Sequence, residues 1–280
     1  DPARGVVTGV VLVGPVHRVP VRGLALPDTH SFLTPLCTIA VDASAVSALK
    51  TMSHITVSGA AHAQEHSLEV HLPFLQEVLG EFTLVPLAVG DATTDEVAQV
   101  LDVLWGGSET LIVISSDLSH YLTYADAQAA DRWTAQSILD LQPHVSHQQA
   151  CGGTPVNGLL QTARKRGLSA ELIDLRNSGD TAGDRARVVG YGAFAFFEAK
   201  SGLEPNAGDA RAALYGGEQS VLSANAGIVL LPLARAAIAR QLGLQTQHPA
   251  ETPRLPAPGS SFVPPCRHGA CDAGTAPPPP

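Results

Sequence analysis

The apolar positions of this chain fall into short dense runs separated by stripes of helical period. VVTGVVLV (6–13) is apolar at nearly every position and rich in β-branched side chains, the pattern of a strand covered on both faces. FTLVPLAVG (82–90), ETLIVISSD (109–117) and VVGYGAFAFFEA (188–199) follow the same rule, and AELIDLRNSG (170–179) carries a sparser version. Between these runs the apolar spacing changes to three and four. Leu68, Leu72, Leu75 and Leu79 place one helix over 67–80, and similar patterns predict helices over 95–106, 125–141 and 155–167. Pro155 suits a first helical turn and Gly167 a stop. Strands alternating with helices predict an α/β fold with a mostly parallel central sheet flanked by helices.

The pattern changes after Lys200. Residues 201–222 are small, polar and Gly-rich and read as a linker. Residues 223–243 predict a single amphipathic helix, and the Pro-rich segment beyond 245 has too little apolar surface to order itself. The chain thus divides into a domain over 1–200, a linker, and a remnant over 223–280. It opens at Asp1, almost directly on a strand, as a domain without its beginning would.

Composition narrows the function classes. Residues 1–200 hold 12 Lys/Arg against 21 Asp/Glu and carry the whole net charge of −9. An acidic domain is a poor match for a nucleic-acid backbone. No apolar run approaches the ~20 residues of a transmembrane helix, so no membrane is expected. Four scattered cysteines do not form a disulfide framework, and a reducing cytoplasm is the default compartment.

Several ligand-type residues sit at predicted strand ends, where the loops of an α/β sheet gather ligands. His17 follows the strand 6–13, Asp117 and His120 follow the strand 109–117, and Cys151 lies in a Gly-rich turn before a helix. A thiol near a helix N-terminus has its thiolate, the metal-binding and nucleophilic form, favoured by the dipole. His66 and His71, five residues apart, point to different helix faces and do not form a chelating pair. Each residue alone has a structural explanation: His17 a half-buried strand-end polar group, Asp117 a helix cap, Cys151 a small apolar filler. His54 and His62 flank a loop-like stretch and read as solvated. Cys266, His268 and Cys271 are ligand-type residues in the Pro/Gly-rich tail, short of the two pairs a structural zinc site uses.

Seven segments carry a resemblance. GPVHRVP (14–20), TPL (34–36), EHSLEVHLPF (65–74), FTLVPLAVG (82–90), SSDLSHY (115–121), ACGGTPVNGLL (150–160) and GYGAFAF (190–196) run in order over about residues 6–199. Together they resemble the Memo-like family, protein B of the AmmeMemoRadiSam system. The resemblance implies a fold like that of class III extradiol dioxygenases, and a metal held by two histidines and a cysteine. In this chain the GPxH segment supplies His17 and the CGxxP segment supplies Cys151 as metal ligands. Asp117 and His120 would line the same pocket in a catalytic role, and His66 and His71 would lie beside it as cofactor-binding residues. The remaining ligand of the family sits in a PHAGY-type segment that would precede Asp1, along with the opening strand and helix. GIVLLPLARAAIARQLG followed by SSFV resembles the start of an AMMECR-type domain, protein A of the same system, whose pattern is then lost. The implied partners are a radical-SAM protein and an AMMECR-type protein.

A thiolate with imidazoles suits iron, copper or zinc. Replacing the dioxygenase carboxylate by Cys151 softens the site, and a thiolate is itself oxidisable. His120 has the chemistry of an acid/base oriented by Asp117. Three functions are compatible with these residues: a redox-active or oxygenase-like metal protein; a non-catalytic module binding a peptide or small ligand in the pocket; and acyl transfer with Cys151 as nucleophile and His120 as base.

Overall fold

The computed structural model describes residues 3–181, 183–198 and, as backbone, 226–230. Strand β1 (Gly9–Pro15) lies at the centre, paired in parallel with β6 (Thr83–Val89) on one side and β7 (Thr110–Ile114) on the other. Beyond β6 the sheet continues through β2 (Leu24–Leu26) to β5 (Ile55–Val57). Beyond β7 it continues through β11 (Ala226–Leu230) to β10 (Val188–Glu198), which also pairs with β8 (His120–Leu122) and β9 (Leu168–Asn177). The centre is parallel, whereas every pairing of β10 is antiparallel. Strands β3 (Ser31–Leu33) and β4 (Thr38–Ala40) form a separate hairpin.

The alternation of β1 shows why its run is apolar throughout. Val11 and Val13 enter one core, with α1 (Ala43–Leu49), α5 (Thr94–Leu104), α6 (Tyr124–Leu139) and α7 (Gly153–Arg166) contributing Leu49, Leu101, Ile138 and Leu160. Val10 and Leu12 enter the other, against Ala61 of α2 (Gly59–His62), Leu68 of α3 (His66–Glu69) and Leu72 and Leu75 of α4 (Leu72–Leu79). Each aliphatic side chain so buried contributes about 1.5–3 kcal/mol. α7 ends where expected, at Gly167 in the left-handed conformation with φ 68°.

Two expectations change. The single helix over 67–80 divides into α3 and α4, because Pro73 has no N–H to continue the first helix and fits the opening turn of a new one. The helix over 223–243 gives way at Ala226–Leu230 to a strand parallel to β7 and antiparallel to β10. There the β-branched pair Ile228–Val229 is suited to an extended backbone, and the segment satisfies two strand edges at once. The linker over 201–222 and the rest of the remnant, including Cys266, His268 and Cys271, lie outside the described residues. No helix among the described residues is long and apolar enough to cross a membrane.

Candidate metal centre

The site grows from the carboxyl ends of β1 and β7. Gly14 lets α3 approach the end of β1: a Cβ there would meet Leu68 Cδ2 and Ser67 Oγ, both at 2.9 Å. Ser67 Oγ donates to the Pro15 carbonyl at 2.8 Å. This contact carries Glu65, the N-cap of α3, up to His17. The Glu65 carboxylate is 2% exposed and accepts three hydrogen bonds. They come from the His17 backbone N–H at 2.6 Å, the His17 ring Nδ1 at 2.9 Å and the Ser67 N–H at 3.0 Å. An ionised carboxylate only accepts, so Nδ1 carries a proton towards Glu65 and Nε2 is the ring nitrogen that Glu65 leaves free.

The second half is laced together from the loop after β7 and the turn before α7. Asp117 N–H donates to Cys151 Sγ at 3.2 Å, and Cys151 N–H returns to the Asp117 carbonyl at 3.2 Å. Ser116 Oγ accepts the Gly152 N–H at 2.9 Å and donates to the Asp117 carbonyl at 2.7 Å. His120 opens β8 with Nε2 3.6 Å from Asp117 Oδ2. It is held there by the buried Asp131 carboxylate of α6, which accepts the Ser119 N–H at 3.0 Å.

The ligand atoms of Asp117, His120 and Cys151 lie within 4.8 Å of one another, and those of His17, Glu65 and His66 form a second such group. A metal with ligands at about 2.0–2.3 Å holds them roughly 3.3–3.8 Å apart, so the first group fits with little movement. The second group has a different character. Both oxygens of Glu65 are taken by N–H donors, which makes it the carboxylate that fixes the ring of a ligand histidine from behind. Glu65 is therefore a support behind His17, and Asp117, His120 and Cys151 are the group whose ligand atoms stand close enough to meet one ion.

Electrostatics follow this geometry. His17 is raised to about 9, first by its bond to Cys151 and then, against burial, by Glu65. Burial pushes the Glu65 carboxyl up, but the hydrogen bonds from His17 and Ser67 outweigh it and hold the group below the usual range. His120 is raised by the Asp117 carboxylate. His71 is pushed down to about 4 by burial, so it is a neutral imidazole, and its Nε2 has no hydrogen-bond partner.

Cys151, 134 positions further along the sequence, is the largest influence on the His17 ring, although the two fall in separate groups of ligand-type atoms. Asp117 and His120 stand beside Cys151. His66 and His71 separate: His66 is exposed and stacks on His17 at 4.9 Å between ring centroids, whereas His71 is buried as the N-cap of α4. Asp117 caps no helix; Thr123 caps α6 instead. His62 is half-buried, not solvated, and its Nε2 meets the Ala25 carbonyl at 2.9 Å. Acyl transfer loses its oxyanion donors, since the N–H groups of Cys151, Gly152 and Gly153 are all engaged within the fold. Sequence reasoning passed over Glu65, although it stands beside His66 in the quoted EHSLEVH motif, and over Ser116 and Asp131.

Fold and site define an α/β protein with a soft N/S/O ligand cluster at the carboxyl edge of a parallel sheet. Comparison with known proteins makes that class specific. The family model described as Memo-like protein matches residues 3–195, and the chain belongs to this family. It is 34% identical over 204 residues to a MEMO1 family protein of Archaeoglobus fulgidus, covering 66% of this chain and 75% of that protein. It is 33% identical over 196 residues to one of Aeropyrum pernix, covering 65% and 70%. It is also similar to one of Methanosarcina acetivorans, at 32% over 197 residues, covering 65% and 73%. Among solved structures, an uncharacterized protein from Escherichia coli K12 matches 55% of this chain and 73% of its own, at 14% identity and a TM-score of 0.37.

Proposed function

We propose that the chain is a transition-metal protein, redox-active or oxygenase-like, with iron or copper favoured over zinc. The observation that carries this reading is the anchoring of His17, with Nδ1 held on buried Glu65, beside the Asp117, His120 and Cys151 ligand group. That is how proteins hold a histidine whose free lone pair is meant for a metal. Bound there, iron or copper supplies a Lewis acid that can change oxidation state. The chain's own groups divide the remaining work. Glu65 sets the His17 tautomer, the backbone N–H of Asp117 holds the Cys151 sulfur in place, and the Asp117 carboxylate orients the His120 imidazole as an acid/base. The dioxygenase-like architecture, the intracellular setting and the radical-SAM and AMMECR-type partners are supported by the motif resemblance.

Elemental analysis of the purified chain and of His17→Ala and Cys151→Ala tests the reading. We expect iron or copper in the first, short of full occupancy where the PHAGY-type ligand segment is not part of the chain, and at least a tenfold loss in both variants. Equal metal content in all three would move the site elsewhere. Metal-free wild-type protein that still binds a peptide or small ligand would favour a non-catalytic pocket.

A further inference from the structure

The mouth of the centre contains a residue held in an unusual backbone conformation. Tyr121, directly after His120, has φ 61°. This is the left-handed region, where a bulky L-residue is strained. Burial does not offset the strain, because Tyr121 is 65% exposed. The conformation does change where the ring points. Consecutive side chains of a regular strand face opposite sides, yet the Tyr121 ring meets the His120 imidazole edge-on with centroids 5.8 Å apart.

The same ring is covered by a cation, with Arg187 Cζ 5.0 Å from its centroid. Arg187 is exposed and has no carboxylate within ion-pair distance among the described residues. Arg22, Arg166 and Arg176 each have such a partner. The Arg187 guanidinium is thus solvent-facing, free of carboxylates and stacked on the ring that meets His120. Stacking fixes the plane of the guanidinium and leaves its N–H edge open for two parallel hydrogen bonds to a carboxylate or phosphate.

The geometry points to Tyr121 and Arg187 as the pair that selects the substrate of this centre, a small organic anion whose carboxylate or phosphate docks on Arg187. The body of the molecule lies along the Tyr121 ring, and its far end reaches His120. This rests on reading the His17–Cys151 cluster as the reacting centre, but the binding step needs no metal.

Ligand-observed NMR titration of the full chain with benzoate, phenyl phosphate and neutral benzyl alcohol tests it. We expect at least one anion to bind more tightly than the alcohol, and Arg187→Gln to weaken that anion tenfold or more. Arg187→Lys should fall between, because it keeps the charge and loses the planar fork. Tyr121→Gly should also weaken the anion while holding or raising the melting temperature, since glycine accepts the positive φ. Arg132→Gln, an exposed arginine on α6, controls for general charge and should bind as wild type does. A preference for benzoate or for phenyl phosphate names the docking group. No anion binding, equal binding of the alcohol, unchanged affinity in Arg187→Gln, or an equal loss in Arg132→Gln would each overturn the proposal. Metal content of the same samples is read separately, so failure of the metal centre and failure of the anion pair are distinguishable.

Discussion

Replacing Glu65 by Gln puts the support of the centre to a direct test. The carboxylate is almost fully buried and accepts three N–H groups, two on one oxygen and one on the other. An amide has one accepting oxygen. If that oxygen serves the His17 ring and Ser67, the NH2 group faces the His17 backbone N–H, whose present bond is 2.6 Å long. If the amide flips, its NH2 faces both the ring Nδ1 and Ser67 N–H. One donor is orphaned in the first orientation and two in the second, and the remaining bonds lose their charge assistance. With charged hydrogen bonds contributing about 1.5–3 kcal/mol and an orphaned buried donor costing about 1–3 kcal/mol, we expect a stability loss of roughly 2–4 kcal/mol.

The effect on metal is separable from the effect on folding. Loss of a carboxylate behind a ligand histidine typically costs 10–100-fold in affinity. Competition titration against a chromogenic chelator at a temperature where the variant is folded should show that loss, with urea melts run in parallel. The pH profile gives a second reading. In the metal-free protein His17 is raised to about 9 and a metal must displace its proton, so affinity falls as pH drops below that value. Without Glu65 the ring loses one of the groups that raise it, and the fall begins at lower pH. The linkage has the usual sign for a raised histidine. Its contribution to stability is fully present below about 6.5 and is lost as pH rises through about 9. Affinity within twofold of wild type, with an unshifted profile, would refute the assignment of Glu65 as the support.

Two further changes probe the surrounding frame. A Cβ at Gly190 would stand 1.9 Å from Asp131 Oδ2, so Gly190→Ala should push the carboxylate off Ser119 and cost about 1–3 kcal/mol in urea unfolding, as overpacking does; a cost under 0.5 kcal/mol would mean that the clamp on His120 is slack. His71 is held neutral down to about 4, whereas in the unfolded chain it takes a proton near 6.5. Stability should therefore fall by up to about 3 kcal/mol as pH drops through that window, and His71→Leu should flatten this part of the profile; identical profiles would mean that the ring is charged in the fold.

What could be read from the sequence followed its periodicity. β1, β6, β7 and β10 were visible because both faces of each are covered, which leaves dense apolar runs. Strands β2, β3, β4 and β5, three residues each, have no length over which alternation could show. His17, Asp117, His120 and Cys151 were legible from strand-end position together with the motif resemblance. Glu65 was not, because its role depends on α3 packing at Gly14, 51 residues earlier in the chain. Asp131 lies in mid-helix and looks like a solvated charge until the fold turns it inward against Gly190. The strain at Tyr121 left no trace in composition at all.

The hidden residues share a logic that the ligands do not. A ligand needs a donor atom at a rim, and strand ends supply that from local sequence. Holding the donor still needs a buried partner from a distant element, and here each half of the site has one: α3 sends Glu65 to His17, and α6 sends Asp131 to the backbone behind His120. Between them, Asp117 and Cys151 bind each other through backbone and sulfur with no side-chain freedom left at Sγ's anchor. The cluster is thus set by the fold itself, and a ligand bound there would not have to order the loops. The structure concentrates its rigidity behind the ligands and leaves His66, Tyr121 and Arg187 exposed in front, which is where a substrate would have to enter.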